Sequence, residues 1–248
     1  MRLTVVGCSG SYPGPESAAS SYLVEADGYQ MVLDLGNGAL GQLQRYTALE
    51  RPGAVLLSHL HADHVIDLTS YYVVRRYHPD GQMPTLPVYG PHGSDHRMAR
   101  AYDLPYNPGM THEFDFRVFP REPFEIGPFT VTVVPVVHPV EAYAMRLEHD
   151  GRVLVYSGDT CPTPSLGEIA AGADVFLCEA AFLSDRENPG GLHLTGREAG
   201  QTATDAEVGS LIVTHVPPWG DPARALAEAK ETYAGPLDLA TPGMTVDV

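Results

Sequence analysis

The sequence predicts an α/β protein in which two β-sheets pack together and helices lie outside them. Strand-like runs dominate the first part of the chain, strands and helices alternate in the last third, and no linker separates the two regions. A length of 248 residues and a hydrophobic fraction of 44% supply a sizeable core and exclude a mainly disordered chain. We therefore expect one domain that spans residues 1–248.

The strand-like runs are apolar segments bounded by turn residues. A Gly/Ser/Pro-rich loop from Gly7 to Ser17 follows the first run, and Gly36-Asn37-Gly38 precedes a short helix. A longer helix stops before His78-Pro79, because a residue that precedes proline disfavours the helical conformation. In this region the predicted strands cover 2–6, 20–25, 30–33, 54–57, 86–89, 114–119, 129–137, 143–149 and 152–156, and the predicted helices cover 39–46, 65–76 and 94–102.

The last third of the chain alternates regularly between the two kinds of element. Apolar runs at 175–178, 210–214 and 237–240 have the length of buried strands. Amphipathic stretches at 164–171, 195–206 and 222–233 lie between them and have the length of helices. Such alternation is typical of parallel strands that are covered by helices.

Composition excludes several classes of protein. The chain has 15 Lys and Arg against 31 Asp and Glu, and its net charge of −16 disfavours a polyanionic partner. No apolar run approaches the roughly 18 residues that a membrane span needs, so we expect no membrane association. The first apolar run is too short for a signal peptide, and three widely spaced cysteines indicate a reducing cytosol. These features predict a cytoplasmic protein.

Residues that bind divalent metals follow four of the apolar runs at the point where each run ends. Because sites in layered α/β proteins gather beyond the carboxyl ends of strands, we expect these residues to share one cleft. They are His59, His61, Asp63 and His64 after the run at 54–57, His138 after 129–137, Asp159 after 152–156 and His215 after 210–214.

The segment from His59 to His64 holds three histidines and an aspartate, a density that has no structural benefit in a surface loop. Residues i and i+2 of an extended segment face the same way, so His59 and His61 can bind one ion. Asp63 and His64 begin the next helix and can face a second ion, and Asp159 can bridge both. Imidazole and carboxylate ligands suit Zn²⁺, and also Mn²⁺ or Fe²⁺. Two such ions about 3.5–4 Å apart form a clamp for displacement at phosphorus.

This ordered set of residues resembles the metal-binding pattern of the metallo-β-lactamase superfamily. The resemblance implies a four-layered αββα sandwich with a site for two divalent metal ions at one edge, between the sheets. It implies that the first ion is held by His59, His61 and His138, the second by Asp63, His64 and His215, and that Asp159 bridges the two.

Further motifs are similar to those of ribonuclease Z. They are Asp34-Leu35-Gly36-Asn37-Gly38, Tyr89-Gly90-Pro91-His92-Gly93, Ser157-Gly158-Asp159-Thr160, Glu179-Ala180-Ala181-Phe182, His193-Leu194-Thr195 with Gln201 and Ala203, and Pro242-Gly243-Met244-Thr245-Val246. In that family a histidine followed by x-Thr is the proposed proton donor, and a glutamate orients it. The resemblance gives these two roles to His193 and Glu179.

The sequence also departs from ribonuclease Z. It has no long Gly/Pro-rich arm for gripping tRNA, since the loop at 104–111 is short. After His215 it reads Val216-Pro217-Pro218-Trp219, where the family has Ser and Arg-Tyr nearby. With the negative net charge, these departures disfavour RNA and indicate a compact relative that is more similar to cyclic-nucleotide phosphodiesterases. Trp219 either stacks on a base or packs as a lid; a homodimer is expected by analogy alone.

We therefore predict a hydrolase with two metal ions, zinc being the first choice, that cleaves phosphodiester bonds of small or cyclic nucleotides through a metal-bridging hydroxide. In this hypothesis Asp63 positions metal and water, and His193, held by Glu179, protonates the leaving oxygen. Three alternatives are a tRNA 3′-end endonuclease of the ribonuclease Z type, a lactonase or thioesterase of the same fold, and a metal-binding scaffold without turnover. The complete ligand set argues against the scaffold, and the His193–Glu179 pair argues against carboxyl-ester substrates, whose leaving groups need less proton help.

Overall fold

The computed structural model describes residues 1–248. The strands are β1 (Arg2–Ser9), β2 (Ala18–Ala19), β3 (Ser21–Ala26), β4 (Tyr29–Leu33), β5 (Ala54–Leu56), β6 (Leu86–Gly90), β7 (Phe114–Val118), β8 (Phe124–Ile126), β9 (Phe129–Pro135), β10 (Tyr143–His149), β11 (Arg152–Tyr156), β12 (Val175–Glu179), β13 (Leu211–Thr214), β14 (Leu237–Leu239) and β15 (Thr245–Asp247). The helices are α1 (Ala39–Leu43), α2 (Ala62–Val65), α3 (Leu68–Arg76), α4 (Ser94–Ala101), α5 (Pro164–Ala170), α6 (Gly196–Asp205) and α7 (Pro222–Thr232).

These strands form two mixed sheets. The first sheet has the order β15-β1-β3-β4-β5-β6-β7, with β2 beside β1, and the second has the order β14-β13-β12-β11-β10-β9-β8. Strands β4 to β7 are parallel in the first sheet, and β11 to β14 are parallel in the second. The carboxyl end of β5 and those of β11, β12 and β13 therefore supply residues to one edge of the molecule.

Three apolar clusters define four layers. A cluster of 23 buried residues lies between the sheets and joins side chains such as Leu56 of β5 to Leu154 of β11. A second cluster of 21 buried residues packs α5, α6 and α7 on the second sheet, and a third of 20 packs α1, α3 and α4 on the first. This is the αββα sandwich that the sequence predicts, with removal of apolar surface from water on both faces of each sheet.

The start of α6 fixes the segment that carries His193. The Thr195 hydroxyl accepts a hydrogen bond from the Glu198 amide at 3.2 Å, and the Glu198 carboxylate accepts one from the Thr195 amide at 2.8 Å. This reciprocal cap satisfies two amide groups that a helix N-terminus leaves unpaired. A Cβ on Gly196 would lie 2.1 Å from the carbonyl oxygen of Ala225, so α6 and α7 approach closely only because residue 196 is glycine.

Several predicted boundaries differ from the structure. Strand β1 continues to Ser9, three residues into the predicted loop, because it pairs there with β2. The predicted helix at 39–46 ends at Leu43, and α2 is a separate turn ahead of α3. The short strands β2, β8 and β15 were not predicted, since two or three residues carry too little pattern without their partners. No helix is both long and apolar enough to cross a bilayer.

Candidate metal centre

Three histidines form the first group of the site. His59 and His61 follow β5 in an extended segment, and His138 lies three residues beyond the end of β9. Nδ1 of His61 lies 3.0 Å from Nε2 of His59 and 3.0 Å from Nε2 of His138. The ligand atoms of all three lie within 4.8 Å of one another, a spacing that can hold one metal ion. The structure thus brings these three predicted residues together.

Two aspartates and two histidines form the second group, which is also within 4.8 Å. Nε2 of His64 lies 3.1 Å from Nε2 of His215, and Nε2 of His215 lies 3.3 Å from Oδ2 of Asp63. Asp159 spans the groups, because its Oδ1 lies 3.3 Å from Nε2 of His64 and its Oδ2 lies 3.6 Å from Nε2 of His59. This is the position that a bridging carboxylate requires.

Hydrogen bonds fix the orientation of two ligand rings. Nδ1 of His138 donates to the carbonyl oxygen of Leu192 at 2.9 Å, which leaves Nε2 free to face the first group. Nδ1 of His64 donates to Oδ2 of Asp34 at 2.7 Å, which leaves its Nε2 free in the same way. Partners of this kind select the tautomer that presents a lone pair to a metal.

Asp34 is a candidate positioning residue that the sequence analysis did not assign. Its carboxylate is fully buried and accepts hydrogen bonds from the Ser58 amide, the Ser58 hydroxyl and the Tyr156 hydroxyl, each at 2.7 Å, in addition to His64. It follows β4 with a φ of 57°, a conformation that is uncommon outside glycine. The signal for Asp34 in the sequence is an aspartate between a buried strand and Leu35-Gly36. The sequence analysis used this aspartate only as part of a motif that is similar to one of ribonuclease Z.

The donor set fits divalent cations. Oδ1 of Asp159 is buried and accepts no hydrogen bond, although nearly all buried polar atoms have a partner. Burial lowers the pKa values of His59, His61 and His138, in the last case to about 4, so these imidazoles are neutral at pH 7 and offer lone pairs. Burial raises the pKa of Asp63, but the neighbouring His215 and His64 side chains outweigh burial and lower that pKa well below its usual range, so the carboxylate is ionised. Neutral imidazoles beside buried carboxylates form a site for positive charge.

Glu179 and His193 lie against this cluster. Oε1 of Glu179, at the end of β12, lies 2.9 Å from Nδ1 of His193, and the same oxygen accepts a hydrogen bond from the Thr160 amide at 2.8 Å. Nδ1 of His193 also lies 3.9 Å from Oδ2 of Asp159. Burial lowers the pKa of His193, but the charge and hydrogen bond of Glu179 outweigh it and raise that pKa to about 9. Cations bound beside it would lower this pKa again.

His215 is held where the two sheets meet. Its amide donates to the carbonyl oxygen of Cys8 at 3.1 Å, and the Gly10 amide donates to the carbonyl oxygen of Val216 at 3.2 Å. A Cβ on Gly10 would lie 2.2 Å from the carbonyl oxygen of His215, so only glycine permits this approach. The extension of β1 thus ties the first sheet to the residue that directly follows β13. Trp219 follows in the next turn, with 64% of its surface exposed.

Comparison with known proteins agrees with this fold. A model of the beta-lactamase superfamily domain matches residues 29–216. An uncharacterised protein of Mycobacterium leprae is 43% identical over 100% of this chain and 89% of its own length. The probable metallo-hydrolase YhfI of Bacillus subtilis is 32% identical over 98% of each chain, and the YhfI crystal structure superimposes with a TM-score of 0.88 over 99% of each chain. Ribonuclease Z of Mycolicibacterium gilvum is 32% identical over 93% of this chain and 91% of its own length.

The fold and the His/Asp cluster define a metallo-hydrolase with a site suited to divalent metal ions. The chain belongs to the β-lactamase superfamily, in the branch that is similar to ribonuclease Z. The family resemblance stated from the sequence is confirmed by these matches.

Proposed function

We propose that this protein is a phosphodiesterase that acts on small or cyclic nucleotides with two bound divalent metal ions, zinc being the first choice. The observation that carries the proposal is the Glu179–His193 pair, which lies beside Asp159 and has the geometry of a proton donor held by a carboxylate. A phosphodiester with an alkoxide leaving group needs such a donor, because an alkoxide leaves poorly without a proton.

The candidate ligand residues form two adjoining groups. His59, His61 and His138 would hold one ion, Asp63, His64 and His215 the other, and Asp159 both. Ions bound there supply positive charge for the phosphoryl oxygens and water with a lowered pKa. The Asp63 side chain is 12% exposed, against 3% for Asp159. Asp63 therefore faces the cleft, where its carboxylate can orient the attacking water.

His193 acts at the leaving group. Its Nδ1 donates to Glu179, so its Nε2 is the ring atom that can donate a proton to the substrate. Glu179 is fully buried and keeps three local contacts, to His193 and to the amides of Thr160 and Ala181. A carboxylate fixed in this way holds the imidazole in one orientation and favours its protonated form before the reaction.

The net charge of the chain favours a small substrate over a folded RNA. Its net charge of −16 opposes an RNA, whose binding rests on contacts between phosphates and basic side chains. The second candidate, a tRNA 3′-end endonuclease, is favoured by the 32% identity to a ribonuclease Z. A dimer in which one copy grips the RNA for the other would be needed to overcome the charge.

A substrate panel separates these candidates. We expect zinc-loaded protein to hydrolyse cyclic AMP and methyl p-nitrophenyl phosphate and to leave precursor tRNA intact at physiological salt. Cleavage of precursor tRNA at its 3′ end, without hydrolysis of the small diesters, would favour the endonuclease instead. Hydrolysis of lactones or thioesters alone would contradict the phosphodiesterase proposal.

A further inference from the structure

A cavity of about 230 Å³ opens next to the Glu179–His193 pair. Its walls come from the loop after β12 and from the loop after β13, and Ala180 and Val216, the residues that directly follow Glu179 and His215, both line it. The larger side chains around it are Phe182, Leu183, Arg186, Asn188 and Trp219. The cavity therefore begins one residue beyond two members of the site.

Phe182 is the wall that the cavity shares with the proposed proton donor. Its ring lies edge-on to the ring of His193, with 5.1 Å between the centroids. The Phe182 amide donates to the carbonyl oxygen of Leu194 at 3.0 Å, and Phe182 forms a bridge to Thr195 at the cap of α6. This connection places the aromatic wall and the histidine in one rigid unit.

Trp219 also lines the cavity and is held in a tight turn. The Gly220 amide donates to the carbonyl oxygen of Pro217 at 2.7 Å, which closes a turn with Pro218 and Trp219 at its centre. The ring of Tyr12 packs against Trp219 with 4.9 Å between the centroids. Despite this support the indole is 64% exposed, so the turn holds a flat aromatic surface at the cavity without burying it.

The polar groups at the cavity suit the edge of a base. Nδ2 of Asn188 donates to the carbonyl oxygen of Leu183 at 2.8 Å, which fixes the amide and leaves its Oδ1 as an unused acceptor. Arg186 is exposed and makes neither an ion pair nor a side-chain hydrogen bond, although the chain has twice as many acidic residues as basic ones. Glu187 is likewise exposed and unpaired. The cavity thus offers both donors and acceptors next to an aromatic plane, as a nucleobase requires.

We infer that this cavity is the subsite for the base of the substrate, with Trp219 as its stacking platform, and that the substrate class is consequently a nucleotide. The inference rests on the proposed function, which places the phosphate of the substrate at the metal centre. The sugar would then lie beside the edge of Phe182, between the phosphate and the base. Stacking on an aromatic side chain tolerates different bases. The subsite therefore distinguishes substrates with a base from substrates without one, and distinguishes less between one base and another.

The single tryptophan of the chain makes the test direct, because intrinsic tryptophan fluorescence reports on Trp219 alone. Zinc-loaded protein is titrated with adenosine 5′-monophosphate and, as the matched control, with ribose 5-phosphate, which lacks only the base. We expect saturable quenching by the nucleotide and none by the sugar phosphate. Equal responses to the two compounds, or no response to either, would overturn the subsite.

Kinetics provide the second measurement. Trp219→Ala raises the KM for cyclic AMP by roughly 10-fold to 100-fold, the loss that removal of a base-stacking side chain causes, while Trp219→Phe keeps most of the affinity. Tyr77→Ala, at an exposed aromatic residue directly after α3, leaves the KM unchanged. An unaltered KM in Trp219→Ala would contradict the inference. If the wild type hydrolyses no diester at all, the proposed function fails, and the fluorescence titration still decides the subsite.

Discussion

Oδ2 of Asp34 lies 2.7 Å from Nδ1 of His64, and both side chains are fully buried. The pair connects the residue that follows β4 to one of the two histidines of the second metal group. Asp34 also accepts hydrogen bonds from Ser58 and Tyr156. One carboxylate therefore connects three parts of the chain, which are the end of β4, the segment that follows β5, and strand β11. The orientation of His64 thus depends on a network that spans both sheets, and the metal centre depends on the fold as a whole.

Asp34→Asn tests this dependence. The amide that replaces the carboxylate can donate a hydrogen bond to Nδ1 of His64, or its oxygen can accept a weaker hydrogen bond from Nδ1 than the carboxylate does. The tautomer of His64 that faces the metal is then no longer fixed. We expect a 10-fold to 100-fold loss of zinc affinity at one of two sites, measured by competition with a chromophoric chelator. Asp27→Asn is the matched control, because Asp27 also pairs with a histidine, His149, at 3.0 Å, but at the surface. Equal zinc affinities in all three proteins would remove the role assigned to Asp34.

His61→Ala and Asp159→Ala each remove a ligand from the proposed centre. We expect both variants to reduce turnover of bis(p-nitrophenyl) phosphate to the background rate, because one ion loses a ligand in the first case and both lose the bridge in the second. His78→Ala, at a histidine that pairs with Glu50 away from the site, keeps wild-type activity. Full activity in either ligand variant, with unchanged metal content, would contradict the ligand assignment.

His193→Ala separates proton donation from metal binding. Since His193 is not among the proposed ligands, we expect the variant to retain its metal. Loss of a general acid costs roughly 10²–10⁴ in rate, and the loss falls on substrates with an alkoxide leaving group. Steady-state rates on cyclic AMP and on methyl p-nitrophenyl phosphate make the comparison, because nitrophenolate leaves without help. Equal losses on both substrates would exclude the role of proton donor.

The Glu179–His193 pair also affects the stability of the metal-free protein. The pKa of His193 is about 9 in the folded chain, against an ordinary value of 6.5, so the pair stabilises the fold fully below pH 6.5 and loses this contribution as the pH rises through 9. Chemical unfolding at both pH values, in the presence of a chelator, measures the difference. We expect the wild type to lose at most about 3 kcal/mol more than Glu179→Gln over this interval.

Other groups titrate in the same interval, but they are common to both proteins and cancel in the comparison. A pH dependence that is identical in the wild type and in Glu179→Gln would show that the carboxylate does not hold the proton on His193.

The sequence predicted the cluster well because its residues follow apolar strands directly. His59 to His64, Asp159 and His215 lie within a few residues of β5, β11 and β13, so a prediction of strand ends was also a prediction of the site. The strands that carry these residues belong to two sheets, since β5 lies in the first sheet while β9, β11 and β13 lie in the second. The site is therefore an edge between sheets, which strand periodicity alone does not specify.

Tertiary contacts determined what the sequence did not reveal. Asp34 acts through His64 and Tyr156, which lie 30 and 122 positions away along the chain, and no local pattern connects them. The strand β15 exists because Arg2 pairs in register with Asp247 at the other end of the chain. The sequence left Trp219 open between base stacking and a lid. The stacking role that we propose for it depends on the turn that exposes it and on the wall formed by Phe182, and neither has a sequence signature.

The metal content of the purified protein tests the central claim most directly. Elemental analysis of zinc-loaded, desalted wild-type protein should give two divalent ions per chain, because the two groups of ligand atoms adjoin and share Asp159. His64→Ala should give one ion, since only the second group loses a ligand. A wild-type protein that retains no metal under these conditions, or a His64→Ala variant that retains two ions, would contradict the account.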